Sequence, residues 1–160
     1  MRRSEVFELA WILPSVAIPV GMLVALLVTA YGMGIHVHGQ EGTIDPRTAA
    51  QTAPFDNPGV REIAPRRYEV VMLSQIWFFR PNEIRVPVGS EVTFVATSTD
   101  VTHGLRVQGT NVNFMIIPGQ ISRASARFNQ PGEYLLVCHE YCGLGHQTMS
   151  GKVIVEPSGS

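Results

Sequence analysis

Charge is scarce in this 160-residue chain: 12 lysines and arginines stand against 13 aspartates and glutamates, for a formal net charge of -1. No basic stripe is available to neutralise phosphates, which argues against a nucleic-acid partner. A Gly-rich Walker loop and a Ser-His-Asp elbow are both missing, so neither phosphate binding nor hydrolase chemistry is indicated. Cysteine is nearly absent, and the two that occur, Cys138 and Cys142, lie four residues apart. Helical periodicity is missing from everything after the first forty residues or so, which disfavours any fold that alternates strands with helices.

The longest gap in charge is also the first element. From Leu9 to Ile35 there is no Asp, Glu, Lys or Arg across 27 positions, more than the roughly 20 apolar residues that cross a bilayer as a helix. Trp11 and Tyr31 can anchor its ends at the interfaces, and Arg2 and Arg3 put the amino terminus on the cytoplasmic side by the positive-inside rule. The carboxy-terminal domain is then expected outside. A cleaved signal peptide competes with this reading, but its apolar core would run about 7–15 residues and end at a small-x-small site. Pro14 and Pro19 are tolerated in a spanning helix where a kink or neighbouring helices re-satisfy the freed carbonyls, which suggests protein neighbours in the membrane. Glu8 sits at the cytosolic edge, where a carboxylate near a helix start is favoured by the dipole.

Residues 36–65 are rich in Gly, Pro, Thr, Ala and Gln, with no sustained period, and read as an irregular connector. His36 and His38 within it are read as interfacial polar residues rather than ligands. Beyond residue 66 come short β-branched or aromatic runs over 68–73, 84–87, 92–97, 105–107, 122–128, 134–138 and 152–155. Gly, Pro, Asn or Asp fence each one. That spacing predicts an all-β sandwich or barrel. The expected organisation is a flank over 1–8, a transmembrane helix over 9–35, the connector over 36–65, the β-domain over 66–157 and a tail over 158–160.

One stretch concentrates the chemistry. Residues 138–149 read Cys-His-Glu-Tyr-Cys-Gly-Leu-Gly-His-Gln-Thr-Met, holding both cysteines, two of the five histidines and a methionine. Thiolate and thioether donors beside imidazole favour copper, whereas structural zinc rarely uses methionine. Cysteines four apart can point both sulfurs inward and bridge two metal ions, with a residue between them offering its carbonyl. A second histidine must come from elsewhere, and His103, in Thr-Asp-Val-Thr-His-Gly at a strand end, is the candidate. Other readings stay open on spacing alone: a disulfide outside the cytosol, a structural zinc site, and a thioredoxin-like copper chaperone.

Asp100-Val-Thr-His103-Gly, Pro131-Gly-Glu-Tyr and the 138–149 stretch together resemble subunit II of cytochrome c oxidases, the CuA-bearing subunit, over nearly the whole chain. The resemblance implies a Greek-key cupredoxin barrel holding two coppers on His103, Cys138, Cys142, His146, Met149 and the main-chain carbonyl of Glu140, with His139 outside the coordination sphere. It implies an electron relay that takes electrons from cytochrome c or a similar small donor and passes them to a haem-copper catalytic subunit in the same membrane, where O2 is reduced. It further implies that Trp77 and Phe78 are where the electron enters and that Glu8 lies at the mouth of a proton pathway. Packing of one of the two aromatics into the core by period-2 alternation is the competing reading. A single span and the Asn111-Val-Asn113 segment are closest to the compact ba-type oxidases, in a prokaryotic plasma membrane. From Val37 onward 11 acidic and 10 basic residues nearly cancel, so strong electrostatic steering of the donor is not expected. A CuA subunit of a nitric oxide or nitrous oxide reductase, and a membrane-anchored copper chaperone or disulfide-braced module, are the alternatives.

Overall fold

The computed structural model describes residues 2–32 and 41–157. The chain divides into two compact units, Met1–Val37 and His38–Ser160. In the first, a helix, α1, runs Arg3–Gly32 without interruption at Pro14 or Pro19, and none of its residues is buried. Its 30 residues extend about 45 Å at 1.5 Å each, more than the ~30 Å of a hydrocarbon core. The helix begins six residues before the expected Leu9, because the Glu5 carboxylate accepts the Arg2 amide at 2.9 Å and its guanidinium at 3.0 Å, satisfying a donor that a bare helix start leaves free. His36 and His38, and the expected helix end at 33–35, lie outside the described residues.

Among the described residues, the second unit is a two-sheet sandwich of ten strands. They are β1 Gly59–Ala64, β2 Arg67–Gln75, β3 Phe78–Arg80, β4 Glu83–Pro87, β5 Ser90–Ser98, β6 His103–Val107, β7 Asn113–Ile116, β8 Ser122–Phe128, β9 Gly132–Val137 and β10 Ser150–Glu156. One sheet orders β1-β2-β5-β8 with β3 added on β2, and the other orders β4-β10-β9-β6-β7. Pairing is antiparallel except β2 with β5 and β4 with β10. All seven expected runs fall on strands, with Cys138 lying just past the end of β9; β1, β3 and β7 are additional, and are too short or too polar to stand out by periodicity.

Alternation explains the core. Val70 and Met72 of β2, Val92, Phe94 and Ala96 of β5, and Leu136, Val153 and Val155 of the opposing sheet fill the space between the sheets. The odd positions Val71, Leu73 and Val95 are buried as well, in a second cluster with Ala49 and Phe55. That second cluster corrects the expectation of an irregular connector. Residues 49–51 form a 3-10 turn, Phe55 is buried against the outer face of β2 and β5, and β1 pairs with β2 from Gly59↔Val71 onward. The physical reason is that β2 and β5 carry apolar side chains on both faces, and the second face must be covered.

Candidate metal centre

Sheet pairing gathers the chemistry at one end of the sandwich. Strands β9 and β10 form a hairpin with Val137 opposite Ser150, so residues 138–149 are its connecting loop. The Cys138 amide donates to the Met149 carbonyl at 3.1 Å and closes the loop at its base. Strand β6 lies beside β9, with Arg106 opposite Val137, which brings its first residue, His103, to the same end. His103 is fully buried, and Cys138, Cys142 and Met149 are buried as part of the core itself.

The donor atoms of His103, Cys138 and Cys142 lie within 4.8 Å of one another. Both cysteines are free, with their sulfurs 3.8 Å apart, far beyond the ~2.0 Å of a disulfide; the disulfide-braced reading therefore does not describe this site. Cys138 Sγ lies 3.3 Å from the Glu140 carbonyl oxygen. Cys142 Sγ lies 3.6 Å from His146 Nδ1 and 3.7 Å from Met149 Sδ. The fold thus brings together all six donors singled out in the sequence.

One atom tests whether a metal fits. His103 Nε2 is 2.9 Å from Asp100 Oδ1, while its Nδ1 is buried and has no hydrogen-bond partner. A buried polar atom left unpaired costs about 1–3 kcal/mol, a deficit that a metal bound to Nδ1 removes. Two thiols, a thioether, two imidazoles and a carbonyl form a soft set suited to copper. An all-β fold also excludes the thioredoxin-like reading.

The electrostatics separate the two thiols. Burial pushes the Cys138 thiol up, but the His103 imidazole, the Gly104 and Glu140 backbone and Cys142 outweigh it and draw the group down to about 6. Burial, and then the negative charge of Cys138, push Cys142 up to about 11. Cys138 is thus the more readily ionised of the two thiols and Cys142 the less, because each feels the other's charge. Burial also disfavours charge on Asp100, yet hydrogen bonds from His103, Ile76, Val101 and Ser98 hold its carboxyl below the usual range.

Around the donors, the remaining candidates take distinct places. His139 is exposed, its ring lying against the backbone of Gly104, where a Cβ would collide with it. The Trp77 indole donates to the Cys142 carbonyl at 3.1 Å. It rests on Gly143, whose φ of +115° favours glycine, and on Gly145, where a Cβ would run into the ring. Trp77 is 39% and Phe78 41% exposed, and Phe79 is buried instead. Burial of one of the two aromatics by alternation does not occur, because Ile76 and Trp77 form the turn between β2 and β3. Glu8 is an exposed residue within α1. Reading the sequence by residue type passed over Asp100 as a functional residue, although its place three residues before His103 was the available signal.

A buried set of sulfur and imidazole donors at the loop end of a β-sandwich defines a cupredoxin-like domain. The family model described as cytochrome c oxidase subunit II, periplasmic domain, matches residues 71–157. A cytochrome c oxidase subunit 2 of Thermus thermophilus is 37% identical over 157 residues, covering 94% of this chain and 92% of that protein. The chain belongs to the cytochrome c oxidase subunit II family and is an electron-transfer subunit of a terminal oxidase. Among solved structures, a chain of a haem-copper terminal oxidase dimer matches with a TM-score of 0.74 at 33% identity, over 96% of this chain and 100% of that one. The periplasmic domain of subunit II of the cytochrome oxidase of Bradyrhizobium japonicum shares the fold, with a TM-score of 0.52 at 20% identity over 56% of this chain and 84% of that chain.

Proposed function

We propose that this subunit holds a binuclear copper centre, CuA, and relays electrons through it from cytochrome c or a similar small redox protein to the haem-copper catalytic subunit that reduces O2 to water. The observation that carries the reading is the fully buried His103 with an unpartnered Nδ1 beside two unbonded cysteine sulfurs. The ligands are His103 Nδ1, Cys138 Sγ, Cys142 Sγ, His146 Nδ1, Met149 Sδ and the Glu140 carbonyl. Held on these donors, a two-copper group would supply a one-electron carrier. The chain's own residues do the rest: strand ends hold the buried donors in place before metal arrives, and the apolar core around them excludes water, so little rearranges when an electron comes or goes.

Trp77 and Phe78 are where the electron enters. Trp77 is both exposed and hydrogen-bonded to a residue of the ligand loop; its chain neighbour Ile76, Tyr141 and Leu144 of that loop, and Val101 next to Asp100 are exposed as well. Such an apolar rim suits a donor that docks by hydrophobic contact, and the near balance of 11 acidic and 10 basic residues from Val37 onward supports weak steering. The helix α1 anchors the subunit in a prokaryotic plasma membrane with Arg2 and Arg3 on the cytoplasmic side. The copper domain then stands on the periplasmic or extracellular side. Residues 1–8 form the flank, and Glu8 lies at the mouth of a proton pathway into the catalytic subunit. A single spanning helix among the described residues supports placement with the compact ba-type oxidases.

The test is copper content and electron paramagnetic resonance of the full-length subunit loaded with copper in detergent. Two coppers per chain sharing one unpaired electron equally are expected. One copper with a mononuclear signature would overturn the reading.

A further inference from the structure

Asp100 makes contacts that its place in the loop between β5 and β6 does not require. Its Oδ1 lies 2.9 Å from His103 Nε2 and 3.1 Å from the Ser98 hydroxyl, and accepts the Val101 amide at 2.6 Å. Its Oδ2 accepts the Ile76 amide at 2.6 Å. Ile76 begins the turn that carries Trp77, and Trp77 returns to the site by donating to the Cys142 carbonyl at 3.1 Å. The contacts close a circuit: His103, Asp100, the Ile76–Trp77 turn, Cys142, and back through the two facing sulfurs 3.8 Å apart to His103, whose donor atom lies within 4.8 Å of both.

We propose that Asp100 is the positioning residue of this centre: one carboxylate fixes the tautomer and aim of the His103 ligand and, through the Ile76 amide, holds the Trp77 turn in register with the same ligand set. An acceptor at Nε2 places the imidazole proton there and leaves the Nδ1 lone pair free to face the sulfurs. The carboxylate side chain is only 25% exposed, so water competes weakly for it. Ser98 and the Val101 amide meet Oδ1, the same oxygen that faces His103, while the Ile76 amide takes Oδ2, so that His103 and the turn share one braced acceptor rather than two mobile ones. A buried ligand on one sheet and an exposed aromatic in a turn of the other are thereby positioned by the same group.

The inference rests on His103 being a copper ligand, and the experiment separates the two. Full-length wild type, Asp100→Asn, Asp100→Ala, Trp77→Phe and Asp100→Asn with Trp77→Phe are compared in detergent. In metal-free protein, nitrogen NMR of His103 is expected to report an Nε2–H tautomer in wild type and a mixture in Asp100→Ala. Copper affinity is expected to fall about 10–100-fold in Asp100→Ala. In Asp100→Asn, which keeps the shape and loses the charge, the reduced form is expected to gain about tenfold over the oxidised at fixed ambient potential, equivalent to about 59 mV for one electron. Copper-loss rates in the double variant should fall short of the product of the single effects, since both residues lie on one circuit. If wild type binds no copper, the ligand reading itself fails. A copper-loaded wild type whose His103 tautomer and potential are unmoved by either Asp100 variant would overturn the positioning role and leave the ligand reading standing. If Asp100→Ala does not fold, Asp100→Asn alone decides, because an unchanged potential and an exact product of fold-changes in the double variant would also overturn it.

Discussion

The proposed ligand set has two halves that the protein holds in different ways. His103, Cys138 and Met149 stand at the ends of β6, β9 and β10, buried and locked by sheet hydrogen bonds. Glu140, Cys142 and His146 ride on the loop between, with exposed Tyr141 and Leu144 among them. The strand-borne half inherits its geometry from the sandwich. The loop-borne half depends on local devices: the 3-10 turn at His146–Thr148, the glycines at 143 and 145, and the Trp77 indole laid over them. Depth secures the strand-borne half, and the loop brings the other half to the surface.

Replacing either cysteine tests the junction of the halves and carries the largest expected effect. Cys138→Ser or Cys142→Ser should abolish the two-copper centre, leaving at most a mononuclear site by metal analysis and paramagnetic resonance; a retained count of two would rule out bridging. The two histidines divide the halves directly. His103→Ala empties a fully buried position and strands Asp100, and should lose copper without recovery. His146→Ala, at a partly exposed position, should recover its spectrum on addition of free imidazole. Equal behaviour of the two variants would erase the distinction between strand-borne and loop-borne ligands.

Smaller changes sharpen it. Gly145→Ala drives a methyl into the Trp77 ring and should slow reduction by the donor about 10–100-fold, with the copper count unchanged, in stopped-flow measurements. Met149→Leu conserves volume in the core and should cost less than about 1.5 kcal/mol. It should keep copper bound while shifting potential and absorption, as loss of a tuning thioether would; wild-type spectra would remove Met149 from the ligand set. The smallest effect is titrimetric. With Cys138 drawn down to about 6 and Cys142 held up to about 11, copper uptake at pH 8 should release about one thiol proton, and closer to two below pH 6. Affinity therefore rises with pH across that window. Release of two thiol protons at pH 8 would mean that the thiols are not electrostatically divided.

Much of this was legible in the residues. A 27-position run without charge announced the helix, because no other element tolerates so long an apolar stretch in the open. Seven β-runs and the loop of residues 138–149 were legible for a similar reason: composition and spacing are local properties. The run Val70-Val71-Met72-Leu73 already hinted that both faces of β2 are covered. It could not say that Phe55, from a stretch read as connector, does the covering, since that contact depends on how the chain crosses the sheet.

By itself, then, the sequence determined the class of element at each position and the chemical kinds of the donors, because hydropathy period and side-chain identity do not depend on distant partners. Only the tertiary structure decided which atoms meet. The register of β6 on β9 placed His103 against Cys138, the turn after β2 set Trp77 over the ligand loop rather than in the core, and Asp100 acquired its two-sided role. Each of these is a through-space relation between residues far apart in the chain, fixed by strand pairing and close packing rather than by any local preference.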